Sequence, residues 1–207
     1  AARDDDRLAS ATMFAAQTDF SEPGELSIFI SPAQLAMLEA MMWKEGVLES
    51  RQMGGAFQLL RTYDLLWAPT IGTYLRGERV GVNDLMSWNA DGTRMAYRMH
   101  TDYLHQLYLN NDLAEGRYVA LGETLDLAAV DVPMFVVGTE TDHVAPWKSV
   151  YKVGKLVRSK DYTFCLTSGG HNAGIISGPV HPKRRHRVLT MKAGARVPSP
   201  AQYMKQV

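Results

Sequence analysis

The sequence predicts an α/β fold built on a parallel sheet, and two observations carry that expectation. The last third of the chain reads strand, helix, strand within about thirty residues, the rhythm of a βαβ unit. The part before it shows helical periodicity and little alternation of period two, as a mostly helical insertion would. With 207 residues the chain has room for one sizeable core and an inserted subdomain.

Taken in order, Leu8 to Gln17 is a short apolar run rich in small residues, stopped by Ser21, Glu22, Pro23 and Gly24, and it reads as a buried strand. Ser31 followed by Pro32 is a helix start, and Leu35, Leu38, Met41 and Met42 recur at helical spacing until Gly46, which predicts an amphipathic helix. Gln52 to Asp91 carries Phe57, Tyr63, Trp67, Tyr74 and Trp88 between glycines and reads as irregular and mostly helical. Its aromatics are expected to pack, with a hydrophobic lid or channel as the other reading. Met99 to Leu109 places Met99, Tyr103, Leu104, Leu107 and Tyr108 on one helical face. Met134 to Val137 is a strand closed by Gly138; Pro146 opens a helix carrying Trp147, Val150, Val153, Leu156 and Val157; Tyr162 to Leu166 is the next strand. The basic stretch His181 to Arg187 reads as a solvated tail, with phosphates or an anionic surface as the other reading.

Composition narrows the function classes. Twenty-two acidic residues balance 22 Lys plus Arg, which lacks the basic excess of a nucleic-acid binder. No stretch approaches the ~18 consecutive apolar residues of a membrane span, and Ala1 to Asp6 is charged where a signal peptide would be apolar. A single cysteine, Cys165, rules out an internal disulfide and fits a reducing compartment. The expectation is a cytoplasmic protein with no nucleic-acid partner, no membrane span, no cofactor and no metal.

The chemistry centres on Asp142 and His171, each just past the end of a predicted strand and 171 − 142 = 29 residues apart. In an open parallel sheet the loops after adjacent carboxyl ends meet, and a carboxylate there can orient an imidazole as general base. The order acid then histidine also matches the last two members of an α/β-hydrolase triad. Spacing alone leaves Asp142 open between this role and that of a turn or helix-start residue. Gly169, Gly170 and Gly174 around His171 suit a tight loop that projects the ring. A nucleophile elbow of the G-x-S-x-G kind, or its cysteine counterpart, does not occur. Cys165 sits between Phe164 and Leu166 as a strand residue, and Ser168 reads as a turn residue.

Several segments together resemble the polyhydroxyalkanoate synthases, in particular the class I type. They are Thr18-Asp19-Phe20, Asp64-Leu65-Leu66-Trp67, Trp88-Asn89-Ala90-Asp91, Tyr103 to Leu113, Thr141 to Tyr151 and Ser168 to Gly174, in the family's order over roughly residues 8 to 185. The resemblance implies that Asp142, within Asp142-His143 followed by Pro146-Trp147, is the triad acid, and that His171 is the triad histidine. Gly169-Gly170 is a one-glycine variation on the family pattern. It further implies an incomplete α/β-hydrolase-type parallel sheet forming the C-terminal portion of a catalytic domain over 1–207, with a mostly helical cap subdomain at about 20–111. The nucleophilic cysteine would lie upstream of Ala1, so the chain alone is expected to be inactive.

The implied reaction is acyl transfer: (R)-3-hydroxyacyl-CoA units join a growing polyester chain and CoA is released. The implied setting is a homodimer in full-length form, at the surface of a polyester granule. Two other readings share these loops, an ester-cleaving α/β-hydrolase and a non-catalytic granule-associated partner.

Overall fold

The computed structural model describes residues 7–79, 81–178 and 180–206, so the charged opening Ala1 to Asp6 lies outside the described residues. The chain divides into two compact units, one formed by Ala1–Ile30 with Leu104–Val207 and the other by Ser31–Tyr103. Strand β1 (Ala11–Phe14) opens the first unit. It is shorter than the predicted run, and it is not buried. As an edge strand it alternates half-buried with exposed residues, Phe14 among the latter.

The second unit is mostly helical. Helix α1 (Pro32–Trp43) starts at Ser31, whose hydroxyl accepts the Gln34 amide at 3.3 Å, with Pro32 in the first turn. Gly46, at φ +71°, follows its end. The expected one-sided apolar face is absent. Leu35 and Met42 are buried, whereas Met37, Met41 and Trp43 are exposed, because the apolar residues run all round the helix.

Strand β2 (Val47–Leu48) leads to α2 (Ser50–Leu60), a π-helical turn (Tyr63–Trp67), α3 (Ala68–Arg76), α4 (Asp84–Ala90), β3 (Met95–Ala96) and α5 (Tyr97–Tyr103). This stretch is more regular than its composition suggested, because its helices are capped. Glu49 and Gln52 close the first turn of α2 reciprocally, Asn83 caps α4, and left-handed Gly77 ends α3. Strands β2 and β3 pair antiparallel. Tyr63, Trp67, Tyr74 and Trp88 are exposed, so the packing expected of them is not observed.

Leu104–Leu109 is π-helical, so the helix predicted over Met99 to Leu109 is realised in two parts, of which α5 starts two residues early. A small hairpin of β4 (Val119–Ala120) and β5 (Glu123–Thr124) follows. The remaining elements are β6 (Met134–Thr139), α6 (Trp147–Tyr151), α7 (Val153–Leu156), β7 (Asp161–Thr167), α8 (Ala173–Ile176), β8 (His186–Lys192) and α9 (Pro200–Gln206).

The principal sheet has the order β1-β6-β7-β8. Strands β1, β6 and β7 are parallel, and β8 runs antiparallel to β7 with Asp161 opposite Lys192 and Thr167 opposite His186. The architecture is α/β, as predicted. Central β6 and β7 are apolar-rich because most of their residues are buried, Phe135 being exposed. Val136, Val150, Tyr151, Phe164, Leu166 and Tyr203 form the centre of the core.

Two sequence expectations fail here for identifiable reasons. Gly138 does not close its strand: β6 continues to Thr139, and a Cβ at Gly138 would stand 3.0 Å from Phe164 and 3.1 Å from the Cβ of Trp147. Glycine is there to let α6 lie close on the sheet. The basic stretch from His181 keeps His181, Lys183, Arg185 and His186 exposed, as expected, but it is not a tail. Its end enters β8, the Arg185 amide donates to Ser168 Oγ at 2.9 Å, and Arg184 Nε donates to Ser177 Oγ at 2.9 Å.

Candidate active site

The loops that leave the carboxyl ends of β6 and β7 are tied to each other by backbone hydrogen bonds. The Glu140 amide donates to the Thr167 carbonyl at 2.9 Å and the Thr141 amide to the Gly169 carbonyl at 3.1 Å. The residues that follow, Asp142 and His171, are thereby brought together across the gap between neighbouring strands, with His171 Nδ1 2.8 Å from Asp142 Oδ2. The Asp142 side chain is fully shielded from solvent, and that of His171 is 35% exposed.

Every lone-pair direction of Asp142 has a donor. Oδ1 accepts the amides of Val144 at 2.9 Å and Ala145 at 2.8 Å, which fold the chain back into the turn before Pro146 and α6. Oδ2 accepts the Thr139 hydroxyl at 3.1 Å besides the imidazole. Burial pushes the carboxyl upward, yet the bonds from His171, Ala145 and Val144 prevail and hold it below its ordinary value. An ionised carboxylate can only accept, so the imidazole presents Nδ1–H to it, and in the neutral ring this leaves the lone pair on Nε2. One side chain thus both closes the turn before Pro146 and holds the imidazole.

This lowering has a consequence for stability. The unfolded chain takes up the Asp142 proton near 3.8, the ordinary value, and the folded chain only at lower pH. The contribution is complete above the unfolded value and is lost as pH falls through the folded one. Urea unfolding of wild type and Asp142→Asn in steps from pH 7 downward is expected to show the wild-type advantage shrinking through that acid window. A difference that stays flat there would contradict it.

The histidine loop owes its course to small residues. Gly169 has φ +112°, and a Cβ there would meet the Arg184 guanidinium at 2.5 Å. At Gly174, in α8, a Cβ would stand 2.6 Å from Thr139 Cγ2, so only glycine lets α8 lie against the end of β6. The Thr167 hydroxyl donates to the Gly174 carbonyl at 2.8 Å and secures the same junction. Behind the acid loop, Ser149 Oγ donates to the Glu22 carbonyl at 2.7 Å, and the Glu25 amide bonds the His143 carbonyl at 3.3 Å.

Cys165 lies within β7, buried, and burial pushes its thiol up, away from the reactive thiolate. Ser168 is buried with its hydroxyl accepting from Arg185. Neither stands as a nucleophile beside His171. Sequence reasoning missed Thr139 as the third side chain of the pair and Arg184 and Arg185 as supports of the histidine loop. The signal for Thr139 was present, a hydroxyl at the end of the acid-bearing strand. Among the described residues no group of three or more His, Cys, Asp and Glu is arranged to hold a metal ion, and no helix is long and apolar enough to cross a membrane.

No protein-family model matches the chain. Curated relatives do. It is 38% identical over 186 residues to the poly(3-hydroxyalkanoate) polymerase subunit PhaC of Rhizobium meliloti, an alignment covering 90% of this chain and 30% of the relative. It is 39% identical over 184 residues to the poly(3-hydroxyalkanoate) polymerase of Methylorubrum extorquens, covering 89% and 30%. To the PhaC subunit of Cupriavidus necator it is 32% identical over 192 residues, covering 90% and 32%. The chain thus spans roughly a third of the length of these relatives. Matched along nine-tenths of its own length, the chain belongs to the poly(3-hydroxyalkanoate) polymerase family.

Proposed function

We propose that this chain supplies the acid and the general base of an acyltransferase that polymerises (R)-3-hydroxyacyl-CoA into polyester with release of CoA. The observation that carries the reading is the 2.8 Å contact of a shielded, fully hydrogen-bonded Asp142 with the partly exposed His171. Names of relatives that polymerise 3-hydroxyalkanoates support it.

In this reading Nε2 of His171 takes the proton of a cysteine thiol. The thiolate attacks the thioester carbonyl, and CoA leaves with a proton returned by the imidazole. The hydroxyl of one acyl unit then attacks the thioester of another. Asp142 fixes the tautomer and stabilises the imidazolium, or helps activate the hydroxyl during elongation. The cysteine elbow is expected outside these residues. The helical unit Ser31–Tyr103 is proposed as the cap subdomain, which its insertion between the two segments of the sheet unit supports. The resemblance extends the proposal to a homodimer acting in the cytoplasm at the surface of a polyester granule.

The test is CoA release from 3-hydroxybutyryl-CoA by the product of the longest reading frame that contains this chain, with wild type and His171→Ala side by side. CoA release with polymer in wild type, lost in His171→Ala, is the expected result. Free 3-hydroxybutyrate without polymer would replace the reading by thioester cleavage, and CoA release surviving in His171→Ala would remove His171 from the chemistry.

A further inference from the structure

The opposite end of the sheet carries a concave site. Strand β7 runs from Asp161, beside this cleft, to Thr167, beside the histidine loop. Its seven residues at about 3.3 Å each place the two sites about 20 Å apart. The cleft encloses about 760 Å³, in the range of small-molecule pockets. Lys155, Arg158, Lys192 and Arg196 line it, converging from the end of α7, the loop before β7, the end of β8 and the loop before α9, and no carboxylate is among the lining residues.

This charge is a matter of arrangement rather than composition, since the whole chain has 22 acidic residues against 22 Lys plus Arg. Some exposed cations elsewhere are matched, Arg98 with Asp102, Arg117 with Asp112, Lys160 with Asp131; what distinguishes the cleft is that several cations line one concavity. Within the cleft, Lys192 is paired with Asp161, but Lys155, Arg158 and Arg196 have no ion-pair partner among the described residues. Two arginines and a lysine lining one cleft without a counter-ion match the charge of phosphate groups, which guanidinium forks bind well. Buried Tyr162 and Met191 form part of the lining, with the half-buried Val157 and Val197, and offer an apolar surface for the organic part of such a ligand.

We propose that the cleft among Lys155, Arg158 and Arg196 binds an organic phosphate of the nucleotide type, at a site separate from the Asp142–His171 pair. Free nucleotides and the nucleotide moiety of CoA share this chemistry, so ADP and CoA serve as the two probes. Titration calorimetry of the 207-residue chain is expected to give saturable binding. Arg158→Gln/Arg196→Gln should weaken it about tenfold or more, and His171→Ala should leave it unchanged.

Binding of ADP and CoA alike, lost together in the double variant, assigns the site to the nucleotide portion they share. Binding of ADP alone assigns it to free nucleotides. No saturable binding of either probe, binding unchanged in the double variant, or binding lost in His171→Ala would each overturn the proposal. Both arginines are exposed. Should the double variant lose its native circular dichroism, Lys155→Gln provides the same comparison through one exposed side chain, with weaker binding expected and unchanged binding contrary.

Discussion

Asp142→Asn is expected to shift the proton of His171 from Nδ1 to Nε2 and, on the acyltransferase reading proposed above, to lower turnover by about 10⁴. The direction follows from which oxygen the amide group must replace. Two backbone amides, of Val144 and Ala145, donate to Oδ1, so an asparagine must keep its carbonyl oxygen there. Its NH₂ then takes the place of Oδ2, which faces Nδ1 of His171 and the Thr139 hydroxyl. That NH₂ donates to Nδ1 and drives the ring proton to Nε2, where the base needs a lone pair.

Asp142→Ala removes the orienting group without imposing the wrong tautomer. The nearly isosteric Asn is therefore expected to be at least as damaging as Ala. Side-chain ¹⁵N spectra of His171 check the tautomer in this chain without any assay of activity, and an Nδ1–H signal persisting in Asp142→Asn would defeat the argument.

The same residues show what could be read from sequence and what could not. The meeting of Asp142 and His171 was legible because β6 and β7 are mostly buried and so appear as short apolar-rich runs, which fixes where each loop begins. The Ser31-Pro32 helix start was legible because capping is local chemistry. Strand β8 was not: its residues alternate between exposed and partly buried, only Met191 is buried, and the charges at His186, Arg187 and Lys192 that protect an edge strand also look like a solvated tail. Gly138 was misread because a glycine that stops a strand and one that admits a helix against it look alike until the helix is placed. Thr139 was missed because its role depends on the fold of the next three residues, and the exposed aromatics of Ser31–Tyr103 because composition does not say which side chains find a neighbour.

Tyr203 is the other residue whose role depends on distant packing, and Tyr203→Ala is expected to cost about 3–5 kcal/mol of folding stability, a large share of what a domain of this size has. Helix α9 is short, and the bonds at its start, the reciprocal pair of Ser199 and Gln202 at 2.9 and 3.2 Å and the Tyr203 amide to the Ser199 carbonyl at 2.8 Å, lie within the helix itself, so its side chains carry its contact with the sheet unit. The principal anchor is Tyr203. It is fully buried, its ring lies 5.3 Å from Tyr151, 5.4 Å from Phe164 and 6.0 Å from Trp147, and its hydroxyl donates to the Arg187 carbonyl at 2.7 Å. Alanine would open a cavity among three aromatic rings and release β8 from α9. Tyr203→Phe keeps the rings and removes only the hydrogen bond, for an expected loss of about 1–2 kcal/mol. Urea unfolding of the three proteins separates the two contributions. Tyr203→Ala within about 0.5 kcal/mol of wild type would show that α9 does not hold the core. A loss in Tyr203→Phe equal to that in Tyr203→Ala would transfer the effect from the ring to the bond with Arg187, and so from core packing to the anchoring of the edge strand.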